Sequence, residues 1–227
     1  PKQIFAHGWW TNEGQKISKS LGNTIDPNEI IAKFGLDQFR YFLLREVTLG
    51  NDGDFSENSL VNRINSDLSN NLGNLIQRVL KFLNKNFQNS VPFSLKDEFE
   101  NYTQLTKGYQ LIEILRKRMT NFEINRCLEE IFFYIDHLNK FMDVSEPWNS
   151  FKIDKNRAGK DLSVLIECFR VVGIVLQPFL PNAANKILSM LNIDISQRMF
   201  ANLTNEYAVA SQHILNNPQP IFPRYEK

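Results

Sequence analysis

The chain of 227 residues carries 26 Lys+Arg against 25 Asp+Glu, a formal charge of +1, with 42% apolar, 22% charged and 12% aromatic residues. These are ordinary proportions for a globular protein of one or two domains with a sizeable core. They exclude a long disordered tail, and no apolar run approaches the roughly 18 residues that span a bilayer. The longest such run, near Val171–Leu176, contains Gly173 and stops at Gln177–Pro178. Nothing reads as a signal peptide. Cys127 and Cys168 are too few for a disulfide framework or a cysteine-based zinc site, and read as reduced core residues of a cytoplasmic protein with no membrane attachment. The near-zero charge does not advertise a nucleic-acid partner, so any such partner must be met by local chemistry. Pro1 is not an initiator and Lys2–Ala6 reads as a strand inside a domain, so the expectation is a piece of a longer protein.

In chain order, Ile4–Trp10 reads as a buried strand and Asn12-Glu13-Gly14-Gln15 as a turn. Asp26-Pro27-Asn28-Glu29 is a helix start: Asp26 supplies the cap oxygen, Pro27 fits the first helical position, and Glu29 completes a capping box. Gly35 ends that helix, and apolar residues at 36, 39, 42, 43 and 47 predict a second over Leu36–Val47. Thr48–Asp54, with Gly50 and Gly53, reads as a loop. Composition changes near residue 58, because residues 1–58 hold six of the ten glycines and two of the three tryptophans.

Beyond that point the pattern is helical. Advancing about 100° per residue from Leu72, the apolar residues Val61, Ile64, Leu68, Leu75, Ile76, Val79, Phe82 and Leu83 share one face. This predicts one long amphipathic helix over 56–86. Ser94–Phe122 and Glu123–Val144 give two more helices, Glu146-Pro147 breaks the chain, and Asp161–Leu176 and Asn182–Leu191 follow. Residues 217–227, with Pro218, Pro220 and Pro223, form an extended tail.

Lys16-Ile17-Ser18-Lys19-Ser20 carries the chemistry. Two lysines and two hydroxyls lie between Gly14 and Gly22. A lysine is a compact cation on a flexible stem, so a pair of them on a mobile loop follows a triphosphate as its charge redistributes, with the serines adding short donors. Taken alone, such a stretch reads first as a solvated basic turn.

The run Phe5-Ala6-His7-Gly8-Trp9-Trp10-Thr11, followed by Gly14-Gln15-Lys16-Ile17-Ser18-Lys19-Ser20-Leu21-Gly22-Asn23, resembles the KMSKS region of class I aminoacyl-tRNA synthetases, with Ile17 in place of the usual Met. Asp37-Gln38-Phe39-Arg40-Tyr41-Phe42-Leu43-Leu44-Arg45-Glu46, Asn51-Asp52-Gly53-Asp54-Phe55-Ser56 and the tail Ile221-Phe222-Pro223-Arg224 resemble the methionyl-tRNA synthetase family, so the likeness covers essentially the whole chain. It implies adenylation of methionine by ATP, with Mg2+, and transfer of methionyl to tRNA(Met). It assigns Lys19 and, as a second phosphate-side residue, Lys16 to ATP and to catalysis, with Ser18 and Ser20 in the same ATP loop. His7, Trp9 and Trp10 are expected to pack beneath that loop. The family's HIGH-like tetrapeptide is missing, and Ala6-His7-Gly8 does not replace it. The methionine pocket and any zinc knuckle lie upstream in the family, so no metal ligand is expected here, and this piece alone is expected to be catalytically incomplete.

On the long helix, Asn70, Asn74, Arg78 and Lys81 lie opposite the apolar stripe, with Asn74 and Arg78 one turn apart. An amide beside a guanidinium suits an unstacked base, but an Asn/Arg face by itself is ordinarily a solvated surface. The resemblance assigns Asn74 and Arg78 to the anticodon helix, and Asn139, Asp143, Pro147 and Trp148 to the matching Asn…Asp…Pro-Trp segment. It implies that Trp148 stacks on the first base of the CAU anticodon, while Asn139 and Asp143 shape the site. His137 and His213 read as structural, and Arg116-Lys117-Arg118 as a solvated face balanced by Glu113 and Glu123.

The expected fold is therefore mainly α. A small α/β segment with the KMSKS-like loop, residues 1–58, precedes a helical-bundle anticodon-binding domain, residues 59–227. With no appended oligonucleotide-binding domain after the tail, a monomer is expected. Two alternatives stay open: a class I synthetase of another specificity, and a stand-alone tRNA-binding module.

Overall fold

The computed structural model describes residues 1–2, 4–96 and 98–225. Gln3, Asp97, Glu226 and Lys227, which fall in the expected strand, helix and tail, lie outside the described residues. The molecule is mainly helical, with a small sheet near its start. β1 (Trp10–Asn12) pairs antiparallel with β2 (Gln15–Lys16) and parallel with β3 (Gly53–Phe55), in the order β2-β1-β3. Asn12 faces Gln15 across a two-residue turn in which Glu13 and Gly14 both have positive φ, the turn geometry that suits a twisted hairpin.

Two expectations are corrected here. The described segment before Trp10 is not a buried strand: Ile4 is 84% and Trp9 81% exposed, because no described element covers them. His7 and Trp9 therefore do not pack beneath the loop; only Trp10 is half-buried, its ring tilted against Phe42. The stretch read as a loop to Asp54 ends in β3 instead. Its glycine is a packing requirement of the sheet, since a Cβ at Gly53 would meet Val47 and the Trp10 ring.

α1 (Pro27–Phe34) is capped by the Asp26 side chain, which accepts from the Asn28 N–H at 2.8 Å. Among the described residues Glu29 makes no return bond to Asp26, so the cap is one-sided. Gly35, at φ 96°, turns the chain into α2 (Leu36–Glu46). α2 is clamped to the far corner of the bundle. Arg40 donates to the carbonyls of Pro178 and Phe179 at 2.8 and 2.9 Å, and Asp37 accepts from the Ala183 N–H at 2.6 Å. Burial pushes the Asp37 carboxyl above its usual range.

The long helix has one axis but two kinds of turn. α3 (Glu57–Arg63) passes into a π-helical stretch, Ile64–Gly73, and then into α4 (Asn74–Phe87). Leu60, Ile64, Leu68, Leu72, Ile76 and Leu80 are all at most 1% exposed. Six residues at a strict spacing of four drift by about 40° per step on an ideal α-helix, which would carry Leu60 about 120° from Leu72. The wider π turns, closing i→i+5, hold this row on one face.

α5 (Thr103–Thr120) starts later than the pattern indicated, because Val91 and Leu95 are buried in an irregular strap where the Phe93 N–H donates to Ser163 Oγ at 3.1 Å. α6 (Ile124–Ser145) is followed by a short helix that the sequence reading treated as a break, α7 (Pro147–Ile153), with Pro147 at its first position. α8 (Lys155–Leu176) begins a turn and a half earlier than expected, where Asp154 caps the N–H groups of Asn156 and Arg157 at 2.9 and 3.0 Å. α9 (Pro181–Met190) and an extended tail close the chain. The tail is strapped to the π stretch, with Ser69 donating to the Pro223 carbonyl and Asn65 exchanging two hydrogen bonds with the Tyr225 backbone.

Buried polar contacts organise the middle of the bundle. Glu167 and Arg170 on α8 are each 1% exposed and paired at 2.7 Å. Glu167 also accepts from the Tyr109 hydroxyl and the Val209 N–H, and Arg170 donates to the Asn202 carbonyl. One pair thus ties α5, α8 and the connector after α9. Cys127 and Cys168 are buried free thiols, and burial pushes Cys127 up to about 11. Among the described residues no helix is long and apolar enough to cross a membrane.

Removing one partner of a fully buried pair strands the other charge, at a cost of about 3–5 kcal/mol. Glu167→Ala is therefore expected to lower the unfolding free energy by about that amount, read from the urea midpoint at constant m-value.

Candidate nucleotide loop and nucleic-acid interface

The KMSKS-like loop leaves the sheet at Lys16 and forms a single 3-10 turn over Lys19–Leu21 before Gly22, at φ 67°. Lys16 and Lys19 are exposed, and neither has an acidic partner among the described residues. Ser18 Oγ and Ser20 Oγ lie 2.7 Å apart. The base of the hairpin is stapled by Asp54, which accepts from Thr11 Oγ1 at 2.6 Å and from the Gly14 N–H at 2.8 Å. These two donors hold the Asp54 carboxyl below its usual value of 3.8. Asp52 accepts from the Trp9 N–H at 2.7 Å, and Gly8 sits so close to Asn51 that a Cβ there would lie 2.0 Å from the Asn51 carbonyl oxygen. The acids of the Asn51–Phe55 stretch are thus backbone anchors for the strand that leads into the loop.

The second group of residues forms where α4, α6 and α7 meet. Glu146, left-handed at φ 40°, reverses the chain after α6 so that α7 folds back. Pro147 is buried, and Trp148 is half-buried against the core edge. The Arg78 guanidinium lies 5.1 Å from the centroid of the Trp148 ring and donates to Asp143 Oδ1 at 3.3 Å. Arg78, Asp143 and Trp148 therefore form one contact cluster at the surface. Asn74, one turn earlier on α4, is exposed and lies toward a groove shared with Asn70, Gln77, Lys81 and the tail residues Pro220–Phe222. Asn139 faces inward along the same helix pair: its amide donates to Asn71 Oδ1 at 2.6 Å and to the Ile135 carbonyl at 3.2 Å, while Asn71 donates to Asp136.

Residues that periodicity did not single out complete both groups. Asn71 is the partner that holds the Asn139 amide, and Asn23 closes the lysine loop. An amide at a helix–helix contact has no spacing signature. Other candidates are occupied elsewhere. Arg116 pairs with Glu113, and Arg118 with Glu123 and Glu130; His213 Nε2 lies 2.7 Å from the Leu191 carbonyl oxygen, and His137 Nε2 2.7 Å from Lys107 Nζ. Among the described residues no cluster of His, Cys, Asp or Glu is placed to hold a metal ion.

An exposed lysine loop on a small sheet, followed by a helical bundle with a basic–aromatic surface cluster, fits part of a class I aminoacyl-tRNA synthetase, and residues 1–80 match the family described as tRNA synthetases class I (M). Residues 96–226 match the family described as the anticodon binding domain of methionyl tRNA ligase. The chain belongs to the methionyl-tRNA ligase family. It is 45% identical to a methionine–tRNA ligase of Rickettsia felis over 229 residues and 42% identical to one of Brucella suis over the same length. These alignments take in 100% and 99% of the chain but only 45% and 44% of those relatives. The chain thus spans less than half the length of the curated relatives it matches. Its fold superposes on the Mycobacterium tuberculosis methionyl-tRNA synthetase in complex with methionyl-adenylate with a TM-score of 0.90 and 37% identity, covering 99% of this chain and 44% of that one. The free form of that enzyme gives 0.88 and 35%, covering 100% and 44%.

The Asp54 staple has a titration signature. Its carboxyl should titrate below 3.8 in a 13C-detected NMR experiment, and Thr11→Val, which removes the closer donor, should move the midpoint back up toward that value. The staple holds at neutral pH and is lost as pH falls through the depressed value.

Proposed function

We propose that the full-length protein is a methionine–tRNA ligase, and that this portion supplies its ATP-side loop and its anticodon-reading surface. In the first step a carboxylate oxygen of methionine attacks the α-phosphorus of ATP, and pyrophosphate leaves with the electron pair of the broken P–O bond. Negative charge builds on the departing pyrophosphate, and Lys16 and Lys19 are the cations available to meet it, with Ser18 and Ser20 as short donors. Such contacts accelerate the step to the extent that they strengthen in the transition state. ATP enters as its Mg2+ complex, as substrate. In the second step a ribose hydroxyl of the terminal adenosine of tRNA(Met) attacks the methionyl carbonyl and AMP leaves. No residue of this chain is proposed as a zinc ligand.

The observation that carries the tRNA half of this reading is the contact of Arg78 with both Asp143 and the Trp148 ring. Asp143 and Trp148 hold the guanidinium at the surface, where it serves an unpaired base or its phosphate. Trp148 offers a stacking face at the same point, and Asn74 an amide for a base edge. Asn139, Asp143 and Pro147 are proposed to shape this surface rather than touch RNA. Residues 1–58 and 59–227 are the proposed division of labour between the two activities.

Stacking of one base is worth about 1–3 kcal/mol. Trp148→Ala in the full-length protein is therefore expected to weaken tRNA(Met) binding by roughly 5- to 150-fold. A change in the first anticodon base should cost a comparable factor, and the two together should cost little more than either alone. Independent, additive losses in a filter-binding double cycle would refute the assignment. The 227 residues tested in isolation should give no methionine-dependent ATP–pyrophosphate exchange.

A further inference from the structure

The loop that carries the two lysines is closed by a single side chain. Asn23 Oδ1 accepts from the Ser18 N–H at 2.9 Å, and Asn23 Nδ2 donates to the Lys16 carbonyl at 3.1 Å. The carboxamide thus makes the paired donor–acceptor contact that a neighbouring strand would make, on both sides of Ile17. Asn23 is itself held, because its own carbonyl accepts from Asn12 Nδ2 on β1 at 3.0 Å. The sheet therefore reaches the loop through two successive amides, Asn12 and Asn23. Between the two points the chain makes only the 3-10 turn and the left-handed Gly22, where a Cβ would meet nothing within 4 Å. The turn itself, residues 19–22, is exposed, so hydrogen bonds rather than packing set its backbone.

We propose that Asn23 is a positioning residue for adenylation, its carboxamide fixing the backbone from which Lys16 and Lys19 reach the triphosphate. The inference rests on the reading of this loop as the ATP-side loop. An ordered loop presents its ammonium groups without first losing chain entropy, and that saving falls on the step where the lysines bind most tightly. Asn23→Ala removes both contacts. Asn23→Asp keeps the acceptor for Ser18 but sets a carboxylate oxygen against the Lys16 carbonyl. Neither residue change touches ATP or methionine directly.

The test uses the full-length protein, with ATP–pyrophosphate exchange kinetics, hydrogen exchange at the Ser18 amide and thermal melting. In Asn23→Ala, kcat should fall about 10- to 100-fold, the size that two neutral hydrogen bonds convert to. The KM for methionine should stay within about twofold, the KM for ATP within about threefold, and the melting temperature should be unchanged. Ser18 should exchange faster in Asn23→Ala but stay protected in Asn23→Asp, which should still lose kcat. An unchanged kcat in Asn23→Ala would overturn the proposal, whether or not Ser18 exchanges faster. So would a loss of kcat accompanied by a lower melting temperature and weaker methionine binding, which marks a folding defect. A wild-type protein without methionine-dependent exchange would overturn the adenylation reading itself, and that failure is visible before any variant is compared.

Discussion

Helix ends carry unsatisfied backbone groups, and α2 uses two side chains one turn apart to answer both kinds at a single corner of the bundle. The carbonyls of Pro178 and Phe179, beyond the negative end of α8, receive the Arg40 guanidinium, and the N–H of Ala183, at the positive start of α9, receives the Asp37 carboxylate. The charges match the ends: exchanging them would set a carboxylate against carbonyls and a cation against N–H groups. Asp37 is 3% exposed and, among the described residues, its second oxygen has no partner, so burying it carries a cost that its contact with the start of α9 offsets. α2 also packs against α6, α3 and the π stretch. The segment that carries the lysine loop is therefore not a tethered appendage. Its hydrophobic contacts run into the same cluster, from Ile30 and Phe34 through to Phe222, that forms the bundle interior.

Local patterns revealed the elements whose stabilisation is local. The Asp26–Pro27 start, the Gly35 stop and the apolar stripe of the long helix were legible because caps and periodicity act within one element. The hairpin turn at Glu13–Gly14 was legible for the same reason. β3 was not, because its parallel partner β1 lies about forty residues away and its own residues, Gly53-Asp54-Phe55, mimic a turn. The buried strand expected over Ile4–Trp10 was inferred from apolar content alone, which does not say whether a covering layer exists. The π stretch hides within a helical pattern as well. Its residues satisfy an α-helical stripe well enough to conceal that the strict four-residue row from Leu60 to Leu80 needs wider turns.

The site residues divide in the same way. Residue identity drew attention to Lys16, Lys19 and Arg78, since a cation is chemically conspicuous, but their roles, and Trp148 itself, entered through the resemblance. The resemblance contributed Asn139 and Asp143, which no spacing argument would have selected. The amides that brace these groups, Asn23 and Asn71, are conspicuous only as hydrogen-bond geometry. An asparagine becomes a bracing group through what lies opposite it, and that depends on tertiary contacts between α6 and the π stretch or across the lysine loop.

The Arg78 cluster is better understood by what it does not contribute to folding. Asp143 is 65% and Arg78 34% exposed in their side chains, and an ion pair of that exposure adds between nothing and about 1 kcal/mol to stability. Yet the fold places a left-handed non-glycine residue, Glu146, where it brings Trp148 back over α4, and a left-handed backbone costs about 1–2 kcal/mol. Burial of Pro147 and the hydrogen bond from Asn149 to Glu146 offset part of that cost. What remains is spent on holding an indole and a guanidinium together at the surface with their rotamers already restricted. Under the proposed reading, a flipped-out base meets both groups in place, and the side-chain entropy that an ordinary arginine loses on binding has been lost in folding instead. Under that reading, a surface cluster that adds little to stability finds its use in ligand binding rather than in the core.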